Sequence, residues 1–393
     1  MATPEVLDNN QQPHSHGYTS EADIPVQLRA ERLKSTDPKD FPAISNREET
    51  WRYTTSEQLR GLDTEALSEF IGDFELKAEP VVKTRWISPD HELFGIAGTP
   101  EDLPSANAWA AAQQAYLIDI PSTDIGEEVT LTIKSETDDP TALHLVINAQ
   151  THSNATLIID HKGRATIAEN VEINVSDEAN LTVVTIQDWD DTAVHTSAIY
   201  AKLGRNATLK HVVVTLGGKV VRVTPNAVFT APGSSVELLG LYYADAGQHM
   251  EHRLFVDHAV PNCKSRVTYK GALQGDKAHT IWVGDVLIRK AAEGTDTYEL
   301  NRNLLLTDGA RADSVPNLEI ETGQIEGAGH ASASGRFDDE QLFYLQARGI
   351  TESEARRLVV RGFLHEIIQQ IPNLEVQEKL NQTIEAELAR SNS

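Results

Sequence analysis

The chain has 393 residues, with 59 acidic against 34 basic side chains and a formal net charge of −25. Such a surface repels nucleic acid and anionic lipid. Apolar residues make up 40%, a globular balance, and the length suits two or three domains or one long solenoid.

Residues 1–19 are polar and lack the apolar stretch of a secretory signal, so a disordered tail is expected there. No run of 18 apolar residues occurs, so no membrane-spanning helix is expected. A cytoplasmic protein is the default expectation.

Residues 20–125 are predicted to be mainly helical. Ser56 can cap a turn bearing Leu59 and Leu62. Leu67, Phe70, Ile71 and Phe74 fall at i, i+3, i+4 and i+7, one helical face. Ser105 to Tyr116 is alanine-rich and reads as a further helix.

From 126 to 336 the texture is short β-branched runs such as Val129–Ile133, Leu181–Ile186 and Val212–Leu216, separated by Gly, Asn, Asp and Ser turns. Asn154-Ala-Thr-Leu, Asn180-Leu-Thr-Val and Asn206-Ala-Thr-Leu recur at a fixed spacing. A fixed period of this size points to stacked coils that bury a shared core. The pattern favours a parallel β-helix over a β-sandwich.

Residues 337–393 turn helical. Asp338 with Gln341, and Thr351 with Glu354, are predicted capping pairs, and Gly349 is placed to end the first of these helices. The second carries Ala355, Leu358, Val359, Phe363, Ile367 and Ile368 mostly on one face. Val376, Leu380, Ile384 and Leu388 form a narrow stripe on the last, suited to a neighbour or a partner.

Several groups could carry chemistry. Gly217-Gly218-Lys219-Val220 is no phosphate loop, because Val213 and Val220 stand where a glycine and a Ser or Thr are needed. His249, His252 and His258 could bind a metal. In a strand, however, His249 points away from the other two, and structural histidines are the better reading. Asp188, Asp190 and Asp191 around Trp189 could serve glycoside chemistry, against a plain charged turn. Cys263, the single cysteine, excludes an intramolecular disulfide and an all-cysteine metal site. It reads as a small buried residue, although Lys264 and Arg266 could favour a thiolate. His330 lies among small residues, Gly327 to Gly335, which leaves room for another surface to approach.

The segments Tyr298–Leu306, Asp308–Ile320, Asp338–Ile350, Glu354–Arg357 and Arg361–Phe363, with an earlier Trp51-Arg52-Tyr53-Thr54, resemble the SufB/SufD family of iron–sulfur cluster assembly proteins. Gly-His-Ala-Ser at 329–332, followed by Gly335–Glu340, is similar to the SufD pattern. A cysteine often found two residues before that histidine is Ala328 here. The resemblance implies a right-handed parallel β-helix flanked by helical regions, and a non-enzymatic scaffold. It implies a SufB-like subunit and a SufC-like ATPase as partners, with no nucleic acid or membrane. A homodimer in the absence of the SufB-like subunit is left open by the sequence. The resemblance singles out His330 as an interface residue and tentative metal ligand, and Leu358, Val359, Phe363 and Ile367 as residues of the helices that dock the ATPase. No cofactor is expected to stay bound to the chain alone. A transient iron–sulfur cluster, and in the complex a flavin, are the groups implied.

Overall fold

The computed structural model describes residues 32–64, 67–122, 126–337 and 339–390. Residues 33–393 form one compact unit. The chain before Arg32, including the expected tail, and the Asp338–Gln341 cap lie outside what is described.

Three short 3-10 turns, at Pro38–Asp40, Glu49–Trp51 and Ser56–Leu59, precede the first strands. The last is capped by Thr55, immediately before the expected Ser56, through a reciprocal pairing with Gln58. Then come β1 (Ser68–Glu69), β2 (Asp73–Ala78), β3 (Lys83–Ile87), α1 (Leu103–Ala111) and β4 (Ala115–Ile120). The helix expected from Leu67 to Phe74 is therefore two strands. Phe74 packs on Phe70, Trp86 and Tyr116, ring to ring at 5.5, 5.3 and 5.2 Å, while Ile71 stays 78% exposed. The apolar spacing that resembles a helix face is an aromatic cluster at a sheet end. The alanine-rich helix is α1, but it stops at Ala111, and Tyr116 belongs to β4.

The body of the chain is a parallel β-solenoid. Its coils begin with β5 (Glu127–Ala149) and β6 (Asn154–Val175), each long enough to bend across two faces. After them each coil divides in two. The first face continues through β7 (Asn180–Trp189), β9 (Thr208–Thr215), β11 (Ser235–Ala244), β13 (Lys264–Leu273), β15 (Asp296–Leu305) and β17 (Gly327–Gly335). The second face continues through β8 (Val194–Leu203), β10 (Val220–Phe229), β12 (His249–His258), β14 (His279–Ile288) and β16 (Arg311–Ile320).

The spacing of the sequence repeat is a true coil step from Asn154 to Asn180, which are register partners. The next step is longer and carries Asn180 to Thr208, so Asn206 sits at the corner with φ +52°. Later coils are longer again, with Lys264 in register with Asp296 and Asp296 with Gly327.

The apolar runs follow from burial on both faces. Val183, Val213 and Leu238 point into the solenoid, while Val184, Val212, Val214 and Leu239 point out under a helical layer. That layer is α3 (Glu352–Ile368) and α4 (Leu374–Arg390), preceded by α2 (Asp339–Gln346). The expected stripe is buried on this chain's own sheet, with Leu380, Ile384 and Leu388 at most 4% exposed. Thr351 caps α3 by accepting from the Glu354 amide at 3.3 Å, and Gly349 has φ +87°. The second face is covered by the N-terminal region through Trp51, Leu59, Leu62 and Ala108.

The two ends of the solenoid differ. At the first end β2 runs antiparallel to β5, and β3 antiparallel to β4. At the other end β17 pairs back to β15 and β16 back to β14, and among the described residues no strand covers their outer edges.

Candidate functional site

The open end is where the interior changes character. One inward column runs in register through Leu157, Val183, His211, Leu238, Val267, Glu299 and His330. His211 is a buried ring bonded to Thr185 at 3.2 Å, and the column is otherwise apolar until the last two coils. There a carboxyl and an imidazole follow one another. A second column ends in Tyr242, Gly271, Asn303 and Ser334. Side chains alternate between the two faces of a strand, so Ala328, His330, Ser332 and Ser334 share the interior face of β17. Ala328 packs on the core, while His330, Ser332 and Ser334 are exposed because no further coil lies on them.

Beneath them is a polar network. Ser332 donates to Ser314 (2.7 Å) and Ser314 to Asn301 Oδ1 (2.7 Å). Asn301 donates to the Tyr242 hydroxyl (3.0 Å), which donates to Asn303 Oδ1 (2.6 Å). Asn303 in turn donates to Asn301 Oδ1 (2.8 Å) and Ser334 Oγ (3.1 Å). Every member is satisfied, so the network holds these side chains in a fixed arrangement.

Glu299 is the exception. It is 1% exposed, and neither carboxyl oxygen meets a hydrogen-bond donor among the described residues. Burial pushes its carboxyl up to about 8. The room it occupies is made by Gly284 on the facing sheet, where a Cβ would stand 2.6 Å from Glu299 Oε1 and 2.4 Å from the Trp282 ring.

The other candidate groups resolve as structural. His252 and His258 face inward and His249 outward, as the strand parity requires. His252 stacks on Tyr242 at 4.9 Å and bonds Thr215 Oγ1 at 3.0 Å, and burial lowers its pKa to about 3. His258 bonds Ser265 Oγ at 2.9 Å and lies over Phe229; burial lowers it to about 4. His249 meets Thr54 under the N-terminal region. Trp189 is buried, Asp188 pairs outward with Lys379 at 3.4 Å, and Asp191 accepts from Gln248. No carboxylate pair faces a shared substrate position there, which removes the glycoside reading. Gly217 and Gly218 form the turn between β9 and β10, with Gly218 at φ +98°. Cys263 is fully buried, its thiol directed at the Ala231 and Pro261 carbonyls and its pKa raised by burial. Arg266 is held by Asp296.

Sequence reasoning missed a buried trio, His161, Glu169 and His195, whose ligand atoms lie within 4.8 Å of one another. The His161 ring faces the Ile186 carbonyl at 3.1 Å and Glu169 at 2.9 Å. With acceptors on both nitrogens, it carries two protons as an imidazolium against the Glu169 carboxylate. Trp189 donates to His195 Nδ1 at 3.0 Å, so the His195 proton sits on Nε2, facing Glu169 at 3.3 Å. The trio is thus a charge-balanced structural pair with a third ring attached, whose Nε2 approaches Glu169 without meeting hydrogen-bond geometry. Glu299 was missed as well. Its only sequence signal is its place one coil before His330.

On the C-terminal helices, Leu358, Val359 and Phe363 are half-buried. Phe363 lies under Lys270 Nζ (4.7 Å to the ring), and Lys270 also donates to the Phe363 carbonyl and to Glu366. Ile367 is 2% exposed and packs on the chain's own sheet, so it offers no docking surface while α3 lies there. Leu358 lines an open groove between α3 and α4 with Arg361, His365, Leu374 and Gln377. Among the described residues no helix is long and apolar enough to cross a membrane.

Comparison with known proteins gives the family. The family model described as "SUF system FeS cluster assembly, SufBD core domain" matches residues 132–363, which span most of the solenoid and the start of the helical layer. An iron-sulfur cluster assembly SufBD family protein of Mycobacterium tuberculosis, Rv1462, is 49% identical over 381 residues, covering 95% of this chain and 96% of that protein. One from Mycobacterium leprae is 50% identical over 369 residues, 91% of this chain and 94% of that protein. A second protein of M. tuberculosis with that family description, Rv1461, is 30% identical over 218 residues, which are 56% of this chain and 25% of that protein. The chain therefore belongs to the SufBD family of iron-sulfur cluster assembly proteins.

Proposed function

We propose that the chain is the SufD-like, non-enzymatic scaffold of a SufBCD-type complex in the cytoplasm. It assists ATP-driven assembly of iron–sulfur clusters at an interface with a SufB-like subunit. The observation that carries this reading is His330, exposed on the last strand of a solenoid whose end no strand covers among the described residues, above an interior that turns polar there. A solenoid edge with free backbone groups is completed by another strand, and a partner of like coil geometry supplies one. Clusters are cargo at that shared surface, and none stays with this chain alone.

The SufC-like ATPase docks on the outer side of α3, where Leu358 remains accessible at the groove with α4 and Val359 is half-buried beside it in the helix. With no phosphate loop of its own, this chain leaves ATP hydrolysis to that partner. ATP-driven movement of the partner biases the complex toward an open interface by binding the two arrangements differently. Neither Glu169 with its histidines nor the Asp188 group offers a competing active site. Co-expression with SufB-like and SufC-like subunits tests the proposal. The chain is expected to co-purify with both, and a monomer that captures neither overturns it.

A further inference from the structure

The buried Glu299 has a cost that the fold does not recover. An unpaired carboxyl in a protein interior costs a few kcal/mol relative to one that is hydrogen-bonded. The coils below place Val267 and Leu238 at the same inward position, so an aliphatic side chain would continue that column. Instead the column carries a carboxyl, and Gly284 opposite leaves the space it fills. Parallel strands stand about 4.8 Å apart, so register partners on one face are adjacent. The residue directly in register with Glu299, on the same face and one coil nearer solvent, is His330.

We propose that Glu299 and His330 act together as a ligand pair for ferrous iron at the open end of the solenoid. The next coil inward supplies a carboxylate oxygen and the last coil an imidazole nitrogen. Carboxylate with imidazole is a donor set suited to divalent iron. A bound cation provides the counter-charge that Glu299 otherwise lacks. His330 is exposed, so iron enters from the open end, past Ser332 and Ser334 rather than through an aliphatic core. Asn301 and Asn303 are committed to their own network and stay outside the ligand set. Water or the facing subunit fills the remaining coordination positions. The inference rests on His330 being a cluster-site residue and adds a second one from within the same chain.

Anaerobic equilibrium dialysis of the purified full chain against Fe²⁺ tests it. The parent is expected to take up one Fe²⁺ per chain, and Glu299→Gln and His330→Ala each to weaken uptake by about tenfold or more. Glu299→Leu keeps the column apolar; it is expected to unfold at a higher denaturant concentration than the parent and to lose the iron. A parent that takes up no iron overturns the pair, as does a folded Glu299→Gln or Glu299→Leu protein that binds like the parent. Cluster yield in the reconstituted complex separates the two claims. Parent-like iron uptake by Glu299→Gln, with reduced yield in His330→Ala, overturns only the ligand pair. Lost uptake in both variants with full yield in His330→Ala supports the pair and overturns the scaffold reading.

Discussion

Histidines sealed inside the solenoid without a hydrogen-bonded carboxylate stay neutral because water cannot solvate their charge. His252 is the clearest case, with its pKa lowered to about 3 by burial. The unfolded chain takes up that proton near pH 6.5, the folded chain only near 3, so stability is lost as pH falls through this window. Between pH 7 and 5 the parent should lose about 2 kcal/mol more than His252→Gln in urea titrations. Equal losses would mean that His252 is not sealed. Cys263 makes a similar point, since burial raises its thiol pKa and withholds the reactive thiolate. In the sequence, the three His249–His258 rings could be judged from strand parity, while the burial of Cys263 was settled only by the fold. Glu299 could not be judged so, because a glutamate in Tyr-Glu-Leu-Asn-Arg-Asn looks like any outward residue of an alternating strand. Its register partner becomes visible only once the length of that coil, from Glu299 to His330, is known.

Among the elements, α4 is held by its apolar stripe more than by its charges. Ile384 is 1% exposed between the helix and the outward side of the first face, and Ile384→Ala should cost about 3 kcal/mol. Lys379 bridges Asp160 (2.9 Å) and Asp188 (3.4 Å) but is 36% exposed, so Lys379→Met should change stability by less than about 1 kcal/mol. The reverse order in chemical denaturation would show that the ion pairs hold the helix. On α3 the two sides separate stability from partnership. Leu358 is half-buried at the groove, so Leu358→Asp should leave stability within about 1 kcal/mol of the parent and abolish co-purification of the ATPase subunit. Retained co-purification would place docking elsewhere. Helix ends and turns were legible because caps act locally: Thr351, Gly349 and the Gly217-Gly218 turn all stand where their residue types require. The 67–74 segment was not, since Phe70 and Phe74 at helical spacing also fit an aromatic cluster with Trp86 and Tyr116, while Leu67 packs elsewhere and Ile71 stays exposed. Only long-range pairing decides between the two.

For the whole molecule, the asymmetry of the solenoid is the main determinant. Antiparallel strands close the first end, while among the described residues no strand covers the β16 and β17 edges at the other. The repeat, the β-branched runs and the change to helix near residue 337 were enough to expect stacked coils followed by helices, whereas the region before them, expected to be mainly helical, is mostly strands and 3-10 turns with one α-helix among the described residues. The corner turns lengthen along the chain, so the step from Lys264 to Asp296 exceeds that from Asn154 to Asn180. The sequence repeat therefore fades just where the open end begins. Without a SufB-like subunit, the free edge should pair two copies of this chain. Light scattering should find a concentration-dependent dimer, and Ser332→Glu at the exposed interior of β17 should shift it to monomer. A monomer at all concentrations would show that the end is not self-complementary.

The central claim is that the open end, through His330, is where this chain takes part in cluster assembly. The most direct measurement is the yield of iron–sulfur cluster on reconstituted complexes carrying parent or His330→Ala chains, matched for subunit stoichiometry. Intact complex with cluster yield reduced by about tenfold or more is the predicted result; full yield from the His330→Ala complex would contradict the account.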